Sequence, residues 1–315
     1  MIDYVKGVTF NQGHIKRLHD YANSNLKPYE PLNNNYLAYS NGSGRFRLEF
    51  RKVHSDNVLI GFRNVDVCFT PHYIFNNDQH NGNDFTPKDS VKIIREVFLG
   101  LGITESELNE FQVVNLEFGL NLIPETNVKN IIDGLLFYNR TKFTVPNPKT
   151  PYFKITDSTR YKEIKAYAKG LQFEDSPHFG INPNTFRFEI KTKKSNKIKT
   201  LGISTIADLL KVEKFSLLFQ SILDEWENVL ILNENLGGEN NTVEFWNELL
   251  SHAYRNKFNL SKIKYYKDLD WKDNFHHLIK CKIIDKLFEF QECADCPQKT
   301  CINIEKVHLV KNHIH

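Results

Sequence analysis

Residues 44–52, GRFRLEFRK, alternate apolar and charged side chains with a period of two. Phe46, Leu48 and Phe50 fall on one side of the segment, and its charged residues fall mostly on the other. This alternation is typical of a β-strand with one buried and one solvated face. The same reasoning predicts strands at 57–69, 111–123, 141–145, 152–156, 162–169 and 184–193.

Apolar residues change to a helical period near residue 203. The runs 204–232, 243–256 and 275–290 have the spacing of amphipathic helices, with Ser204 as a candidate N-cap. Further helices are expected at 84–99 and about 125–137. Strands first and helices last indicate an α+β fold with a central antiparallel sheet and flanking helices. We expect a sheet-based domain at 1–202 and a mainly helical region with a cysteine-rich tail at 203–315; no internal repeat is visible.

Composition restricts the class of protein. The chain has 315 residues, enough for a large core, and no apolar run approaches the ~20 residues that span a bilayer. The N-terminal segment MIDYVKGVTF lacks the layout of a secretory signal, so the expected location is cytoplasmic, with no membrane partner. The five cysteines are an odd number and do not resemble a disulfide framework.

Positive charge is concentrated in the middle of the chain. Residues 140–199 contain 14 Lys and Arg against 5 Asp and Glu, although the whole chain carries a net charge of only +3. A local excess of this kind favours a polyanion site, and a solvated lysine-rich surface is the alternative.

Three predicted strands each carry one glutamate between apolar neighbours: Glu49 in RFRLEF, Glu117 in NLEFGL and Glu189 in FRFEI. A single carboxylate on a strand is usually only solvated. Three in one sheet, beside a basic segment, could converge on a hard divalent cation such as Mg²⁺ or Mn²⁺, which prefers oxygen ligands.

The segment 160–170, RYKEIKAYAKG, places a tyrosine among cations. By alternation Glu163, Lys165, Tyr167 and Lys169 share one face of the strand. A phenol has a pKa near 10 and attacks poorly unless a cation favours the phenolate, which Lys169 or a metal ion could do. The alternative for Tyr167 is an ordinary core or edge aromatic residue.

These motifs resemble rolling-circle replication initiators. TRYKEIKAYAKGLQF followed by FRFEIKTKKSNKIKTLGI is similar to the gene II/X replication proteins of filamentous phages, which share an A-Y-x-K strand and an R-F-E strand. The Rep-trans initiators of Gram-positive plasmids have comparable motifs in the same order, here RFRLEF, NLEFGL, EIKAYAK and FRFEI. The resemblance covers about residues 45–205.

What the resemblance implies is a DNA endonuclease and strand transferase for phage or plasmid replication. A tyrosine nicks one strand at the origin, leaving a 5′-phosphotyrosine and a free 3′-OH. Tyr167 matches the nucleophile, Lys169 the lysine after it and Arg187 the position before the last acid. Glu49, Glu117 and Glu189 match the acidic positions that hold Mg²⁺ or Mn²⁺.

The sequence departs from the pattern in two places. Glu117 stands where the plasmid proteins have Asp, and Ala168 stands where they have Asn or Asp. Tyr152 and Tyr161 are fallback nucleophiles. The His-Ile-His at 313–315 lies at the chain end, where we do not expect a catalytic ligand set.

Basic residues around the motifs are candidates for phosphate contacts to single-stranded or melted DNA at the origin. They are Lys165, Lys191, Lys193, Lys194, Lys197, Arg45 and Arg47. The helical region is a candidate for recruiting a host helicase, and a homodimer stays open. The rival interpretations are a non-catalytic DNA-binding protein of a mobile element and a zinc-stabilised structural or RNA-binding protein.

A cysteine cluster lies near the C-terminal end of the sequence. Cys293, Cys296 and Cys301 have C-x2-C-x4-C spacing, and His308 follows. Three thiolates and an imidazole suit structural Zn²⁺, and a reduced surface cluster is the alternative.

Overall fold

One large antiparallel sheet organises the chain. The structure, a computed structural model, describes residues 1–139, 141–156, 161–233 and 274–292. Its strands are β1 (Ile2–Thr9), β2 (Lys27–Tyr29), β3 (Tyr36–Ser40), β4 (Phe46–Ser55), β5 (Val58–Phe69), β6 (Gln112–Leu122), β7 (Leu135–Tyr138), β8 (Thr141–Thr144), β9 (Phe153–Thr156), β10 (Lys162–Ala168), β11 (Phe186–Thr192) and β12 (Val229–Ile231). Their order is β12-β7-β8-β9-β10-β11-β6-β1-β5-β4-β3-β2.

Seven α-helices lie in the described segments. They are α1 (Gln12–Asn25), α2 (Pro71–Phe75), α3 (Pro87–Gly100), α4 (Val128–Gly134), α5 (Ser195–Lys199), α6 (Phe215–Trp226) and α7 (Phe275–Glu292). Helix α3 begins at a capping box in which the Thr86 hydroxyl accepts from the backbone N–H of Asp89. Short 3₁₀ turns such as Glu105–Glu110 and Ile206–Leu210 connect the longer elements.

The strand order repeats in the two halves of the sheet. The first half runs β1-β5-β4-β3-β2 and the second runs β6-β11-β10-β9-β8-β7. In each half the first strand is followed along the chain by a helix and then by consecutive antiparallel strands, the last of which lies next to the first strand in the sheet. Strands β1 and β6 pair antiparallel where the halves meet. The sequence shows no repeat, and this likeness appears only in the topology.

The two faces of the sheet differ in chemistry. Apolar side chains such as Phe118, Phe188 and Ile190 are fully buried on one face. On that face the indole of Trp226, from α6, packs edge-on against Phe186 and Phe188. The alternate positions on the same strands carry charged and phenolic side chains, which form the opposite, polar face.

The predicted class, α+β with a central antiparallel sheet and flanking helices, is confirmed. The expected domain boundary at residue 202 stays a prediction. Residues on both sides of it belong to one hydrophobic cluster. In addition, β12 pairs with β7, and the backbone N–H of Val113 donates to Ser204 O. None of the described helices is long and apolar enough to cross a membrane.

Two helix predictions need correction. The helix expected at 125–137 is only α4, and the residues after Gly134 form β7. The helix expected at 204–232 is a 3₁₀ turn followed by α6, and its last apolar residues form β12. In both places a short apolar run pairs as a buried strand, which periodicity alone does not distinguish from a buried helix segment. The predicted segment 243–256 lies outside the described residues.

Gly119 allows β11 to approach β6 beside the polar face. A Cβ at this position would lie 2.3 Å from Phe188 O and 2.9 Å from Glu189 Cγ. We expect Gly119→Ala to lower the free energy of unfolding in urea by about 1–3 kcal/mol, because backbone must shift to admit the methyl group. Gly100→Ala is the matched control, since its Cβ would meet nothing within 4 Å. Equal stability of the two variants would contradict this account of Gly119.

Candidate functional site

The central strands bring five of the predicted site residues together on the polar face. In the register of β10 and β11, Lys165 lies opposite Glu189 and Tyr167 lies opposite Arg187. Glu117 lies on β6, the strand that pairs with the other edge of β11. Alternation along each strand therefore directs these side chains to one side of the sheet.

Tyr167 is buried and makes a hydrogen bond to a carboxylate. Its hydroxyl donates to Glu189 Oε1 at 2.6 Å, and only 5% of the residue is exposed. The ring packs against Phe153 with centroids 4.9 Å apart, and Lys169 Nζ lies 5.4 Å from its centroid. Burial, and then the charge of Glu189, raise the pKa of the phenol well above its ordinary value. The hydroxyl is therefore neutral at neutral pH.

Arg187 compensates two buried carboxylates. Its guanidinium, of which 1% is exposed, donates to Glu189 and to Asp3. A further N–H donates to Asn121 Oδ1 at 2.5 Å. Burial alone would raise the pKa of Glu189, but the charges of Arg187 and neighbouring lysines hold that pKa well below its usual range. Glu189 is consequently a weak base.

Lys165 lies between the two glutamates. Its Nζ is 2.7 Å from Glu117 Oε1 and 3.4 Å from Glu189 Oε2, and Glu117 Oε2 also contacts Lys191 Nζ at 3.1 Å. Burial and the charge of Glu189 raise the pKa of Glu117. The pKa values of the two carboxylates are thus shifted in opposite directions, as expected for neighbouring acids that share a site.

Glu49 lies in a different group. Its Oε1 accepts from the hydroxyl of Tyr29 at 2.8 Å, and its Oε2 lies 3.6 Å from Lys6 Nζ. Lys6 also contacts Asp66 Oδ2 at 2.5 Å. Glu49 is on β4, three strand steps from Glu117, or roughly 14 Å at the usual strand spacing. The three predicted metal ligands therefore do not meet at one point.

The carboxylate pair fits a divalent ion only in part. Glu117 and Glu189 supply the oxygen ligands that Mg²⁺ and Mn²⁺ prefer, but the ammonium group of Lys165 occupies the space between them. Among the described residues no three His, Cys, Asp or Glu side chains form a metal-binding group. An ion would bind this pair only after Lys165 had moved away.

Two loops contact the residues around Tyr167 and Arg187. The first follows α2, on which His72 Nδ1 lies 3.3 Å from Asp3 Oδ1, and its Gly82 carbonyl accepts from the amide of Asn121 at 2.9 Å. Burial lowers the pKa of His72 to about 3, so this imidazole is neutral. The second loop begins at Lys169, whose Nζ donates to Gln172 Oε1 at 2.9 Å. Because only 5% of Tyr167 is exposed, a ligand reaches the phenol only if neighbouring groups move.

Lys169 is more buried than alternation along the strand suggested. Only 2% of it is exposed, and burial lowers its pKa to about 8.

The two fallback tyrosines have different surroundings from Tyr167. Tyr161 is 49% exposed, and Lys129 Nζ lies 5.3 Å from the ring of Tyr152. Neither fallback tyrosine makes a hydroxyl–carboxylate contact like that of Tyr167 in the described residues.

The predicted DNA contacts are spread over the polar face and its border. Lys193, Lys194 and Lys197 are exposed at the end of β11 and on α5, and Lys193 Nζ contacts Glu163 at 2.5 Å. On β4 the guanidinium of Arg47 lies 3.5 Å from Glu49. Arg45, which immediately precedes β4, stacks with its guanidinium 3.5 Å from the ring centroid of Tyr73. The proposed zinc ligands Cys293, Cys296, Cys301 and His308 lie outside the described residues.

Sequence reasoning missed Asp3, although it is one of the two acids that hold Arg187. Tyr4 and Lys6 continue a readable alternation in β1, but the register shifts between Ile2 and Tyr4. That β-bulge lies at Asp3, where it alters the direction of the side chain. A bulge leaves no clear signal in a single sequence. The sign that the sequence offers is the charge of Asp3 within an otherwise apolar stretch of β1.

Loss of Arg187 should destabilise the protein severely. We expect Arg187→Met to lower the free energy of unfolding by about 3–5 kcal/mol, because Glu189 and Asp3 would be left buried without a cation. Arg95→Met is the control, since it breaks an exposed pair with Glu105 and should cost less than about 1 kcal/mol. Chemical denaturation measures both. A cost for Arg187→Met no greater than the control would show that the buried network contributes little.

The two glutamates should give opposite pH dependences. Because the pKa of Glu189 is lower in the folded than in the unfolded chain, its contribution is present at neutral pH and declines as pH falls below about 5. The pKa of Glu117 is raised, so its ionisation costs stability as pH rises above about 4. Glu189→Gln should therefore lose most stability at pH 7, whereas Glu117→Gln should lose little or gain. Unfolding free energies measured across this range test the opposite signs, and parallel curves would contradict them.

No family model matches the sequence, and no curated protein matches it. The chain is thus characterised by its fold, by the geometry of the polar face and by the order of its motifs.

Proposed function

We propose that the protein is a tyrosine-dependent DNA nicking and joining enzyme that initiates rolling-circle replication of a phage or plasmid. The observation that carries the proposal is the hydrogen bond of the Tyr167 hydroxyl to Glu189, at 2.6 Å, beside a second glutamate and several cations. The motif order and the adjacency of β10, β11 and β6 in the sheet support it.

The residues at this site have suitable roles for strand cleavage. Tyr167 Oη would attack phosphorus, its proton passing to Glu189, and the P–O3′ bond would break. The leaving O3′ would take up a proton from water to give the 3′-OH, and the 5′-phosphate would stay on Tyr167 as a phosphotyrosine. Lys165 contacts Glu189, and Lys169 Nζ lies 5.4 Å from the centroid of the phenol ring; both would stabilise the charge that develops on a bound phosphate. Transfer between phenol and carboxylate is uphill at rest, because the phenol pKa is raised and that of Glu189 is lowered.

Phosphate entry would change these electrostatics. A bound phosphate draws Lys165 away from the carboxylates, which leaves Glu117 and Glu189 less compensated and Glu189 more basic. The same movement opens the pair to Mg²⁺ or Mn²⁺, whose charge would favour phenolate and neutralise phosphate. Glu49 takes no part in this arrangement.

A second candidate function is a non-catalytic DNA-binding protein of a mobile element. The observation that favours it is the complete pairing of the site, in which Tyr167 is 5% exposed and both glutamates contact cations. In this case the polar face binds phosphates through its exposed lysines, and Tyr167 has a packing role only.

Covalent adduct formation distinguishes the two functions. Purified protein is incubated with Mn²⁺ and 3′-labelled oligonucleotides that tile the replicon encoding the chain. We expect a labelled protein adduct that resists denaturation, because the 5′-phosphotyrosine keeps the 3′ part of the strand. Tyr167→Phe should abolish the adduct, since the ring packing is retained while the nucleophile is lost.

Tyr161→Phe is the matched control, because that tyrosine is 49% exposed and lies away from the carboxylate pair. It should form the adduct as the wild type does. DNA binding without any adduct, unchanged in Tyr167→Phe, would select the non-catalytic function instead.

A further inference from the structure

The hairpin of β4 and β5 extends beyond the rest of the sheet. Strand β3 pairs with β4 only as far as Arg51, and β1 pairs with β5 only from Val65 onward. Beyond these points residues 53–63 form a two-stranded ribbon whose described strands pair with each other. At its base the N–H of Lys52 donates to Asn35 O, and the ring of Phe62 packs against His19 of α1. We call this segment the projecting ribbon.

A tight turn stiffens the tip of the projecting ribbon. Asp56 and Asn57 have φ values of 50° and 64°, and Ser55 pairs directly with Val58. Positive φ at both central residues is the geometry of a type I′ turn, which matches the twist of the strands that it joins. The ribbon is therefore a defined structural element with a preferred shape.

The ribbon exposes an apolar tip. Val58, Leu59 and Ile60 are 64%, 46% and 64% exposed. Because successive residues of a strand point to opposite faces, exposure of all three means that neither face of the tip is covered. A contiguous exposed apolar patch of this kind belongs to a binding surface more often than an average surface position does.

Cations flank the apolar tip. Arg51 and Arg63 are exposed at the base of the ribbon, and neither makes an ion pair within the part of the chain that the structure describes. Over residues 51–63 three Lys and Arg stand against one acid, a net charge of +2. Two unpaired guanidinium groups beside apolar side chains match a polyanion with apolar edges or faces.

We propose that the projecting ribbon is an arm that enters a groove of duplex DNA, with Arg51 and Arg63 on the phosphates and the tip against the bases. A two-stranded ribbon fits the major groove, and apolar side chains also insert at base steps from the minor groove. This inference rests on the proposed function, because it identifies the DNA that the enzyme holds outside the cleavage site.

The position of the arm indicates which DNA it contacts. Following the strand registers from Tyr167 through β11, β6 and β1 to β5, the tip lies about 15 residues away along the strand direction, which is on the order of 50 Å at about 3.3 Å per residue. One turn of duplex is about 34–36 Å. The arm therefore contacts duplex more than one turn from the nick, and it does not touch the scissile phosphate.

A second copy of the chain is the main alternative occupant. Two cationic ribbons that pair with each other bring four guanidinium groups together without an acid partner other than Asp56, which disfavours self-association relative to DNA. Sedimentation of the wild type, alone and with DNA, measures this alternative directly.

The test uses three variants of the full chain. The first removes the apolar tip (Val58→Ser, Leu59→Ser and Ile60→Ser together), and the second removes the cations (Arg51→Gln with Arg63→Gln). Leu99→Ser, which changes a residue that is 53% exposed on α3, is the matched control.

Two DNA probes are compared by fluorescence anisotropy. The first is a labelled duplex of about 40 base pairs, which is longer than one turn. The second probe is a single strand of about 6 nucleotides, too short even when extended to reach the arm from Tyr167.

We expect the tip variant to bind the duplex at least about 5-fold more weakly with an unchanged salt dependence, because apolar contacts release no counterions. The cation variant should reduce the slope of log K against log salt by about 2, one for each phosphate that the missing guanidinium groups no longer neutralise. Both variants should bind the short strand as the control does.

Three results overturn the inference: duplex affinity of the tip variant equal to that of the control, an equal loss on the short strand, or a wild-type dimer that the tip variant dissolves. The adduct assay separates this inference from the proposed function. If no adduct forms but the tip variant loses duplex affinity, the nicking function fails and the arm stands. If the adduct forms and the tip variant binds duplex normally, the arm fails alone.

Discussion

The buried guanidinium of Arg187 is the interaction on which the centre of the sheet depends. It connects β11 to Asp3 at the start of the chain and to Asn121 on β6, so three strands meet at one cation. An isolated carboxylate is not tolerated in such a place, and Glu189 remains ionised there because Arg187 is beside it. The position of the Tyr167 hydroxyl follows from this, since Glu189 accepts its hydrogen bond.

In this arrangement the charged groups of the resting site are already paired with one another. Both glutamates, Lys165 and Arg187 already have partners of opposite sign, and the phenol is neutral. Binding of an anion must therefore exchange one pairing for another, with Lys165 as the group that has the more exposed position. The first half of the sheet has a comparable arrangement, in which Lys6 lies between Asp66 and Glu49. In each half a lysine separates two acids, although it comes from a different strand.

The sequence predicted the fold class and the face of each site residue, but not their neighbours. Alternation in RFRLEF and in KEIKAYA marks which side chains point to the polar face. It does not give the order of strands, and that order separates Glu49 from Glu117 and Glu189. The loops that follow α2 and β10 have no periodic pattern, so the burial of the Tyr167 hydroxyl could not be predicted. The apolar residues of β7 and β12 read as helix because burial on both faces removes the alternation.

The position of β1 has a consequence for the order of folding during synthesis. This first strand lies in the middle of the sheet, between β5 and β6, and Ile2 pairs with Phe118. On a ribosome, β1 can associate with β5 as soon as the first half has emerged, but its other edge stays unpaired until β6 follows. Because an open edge can template association with other chains, the nascent chain is most exposed to misassembly in this interval. The second half of the sheet is thus assembled on a first half that has already formed.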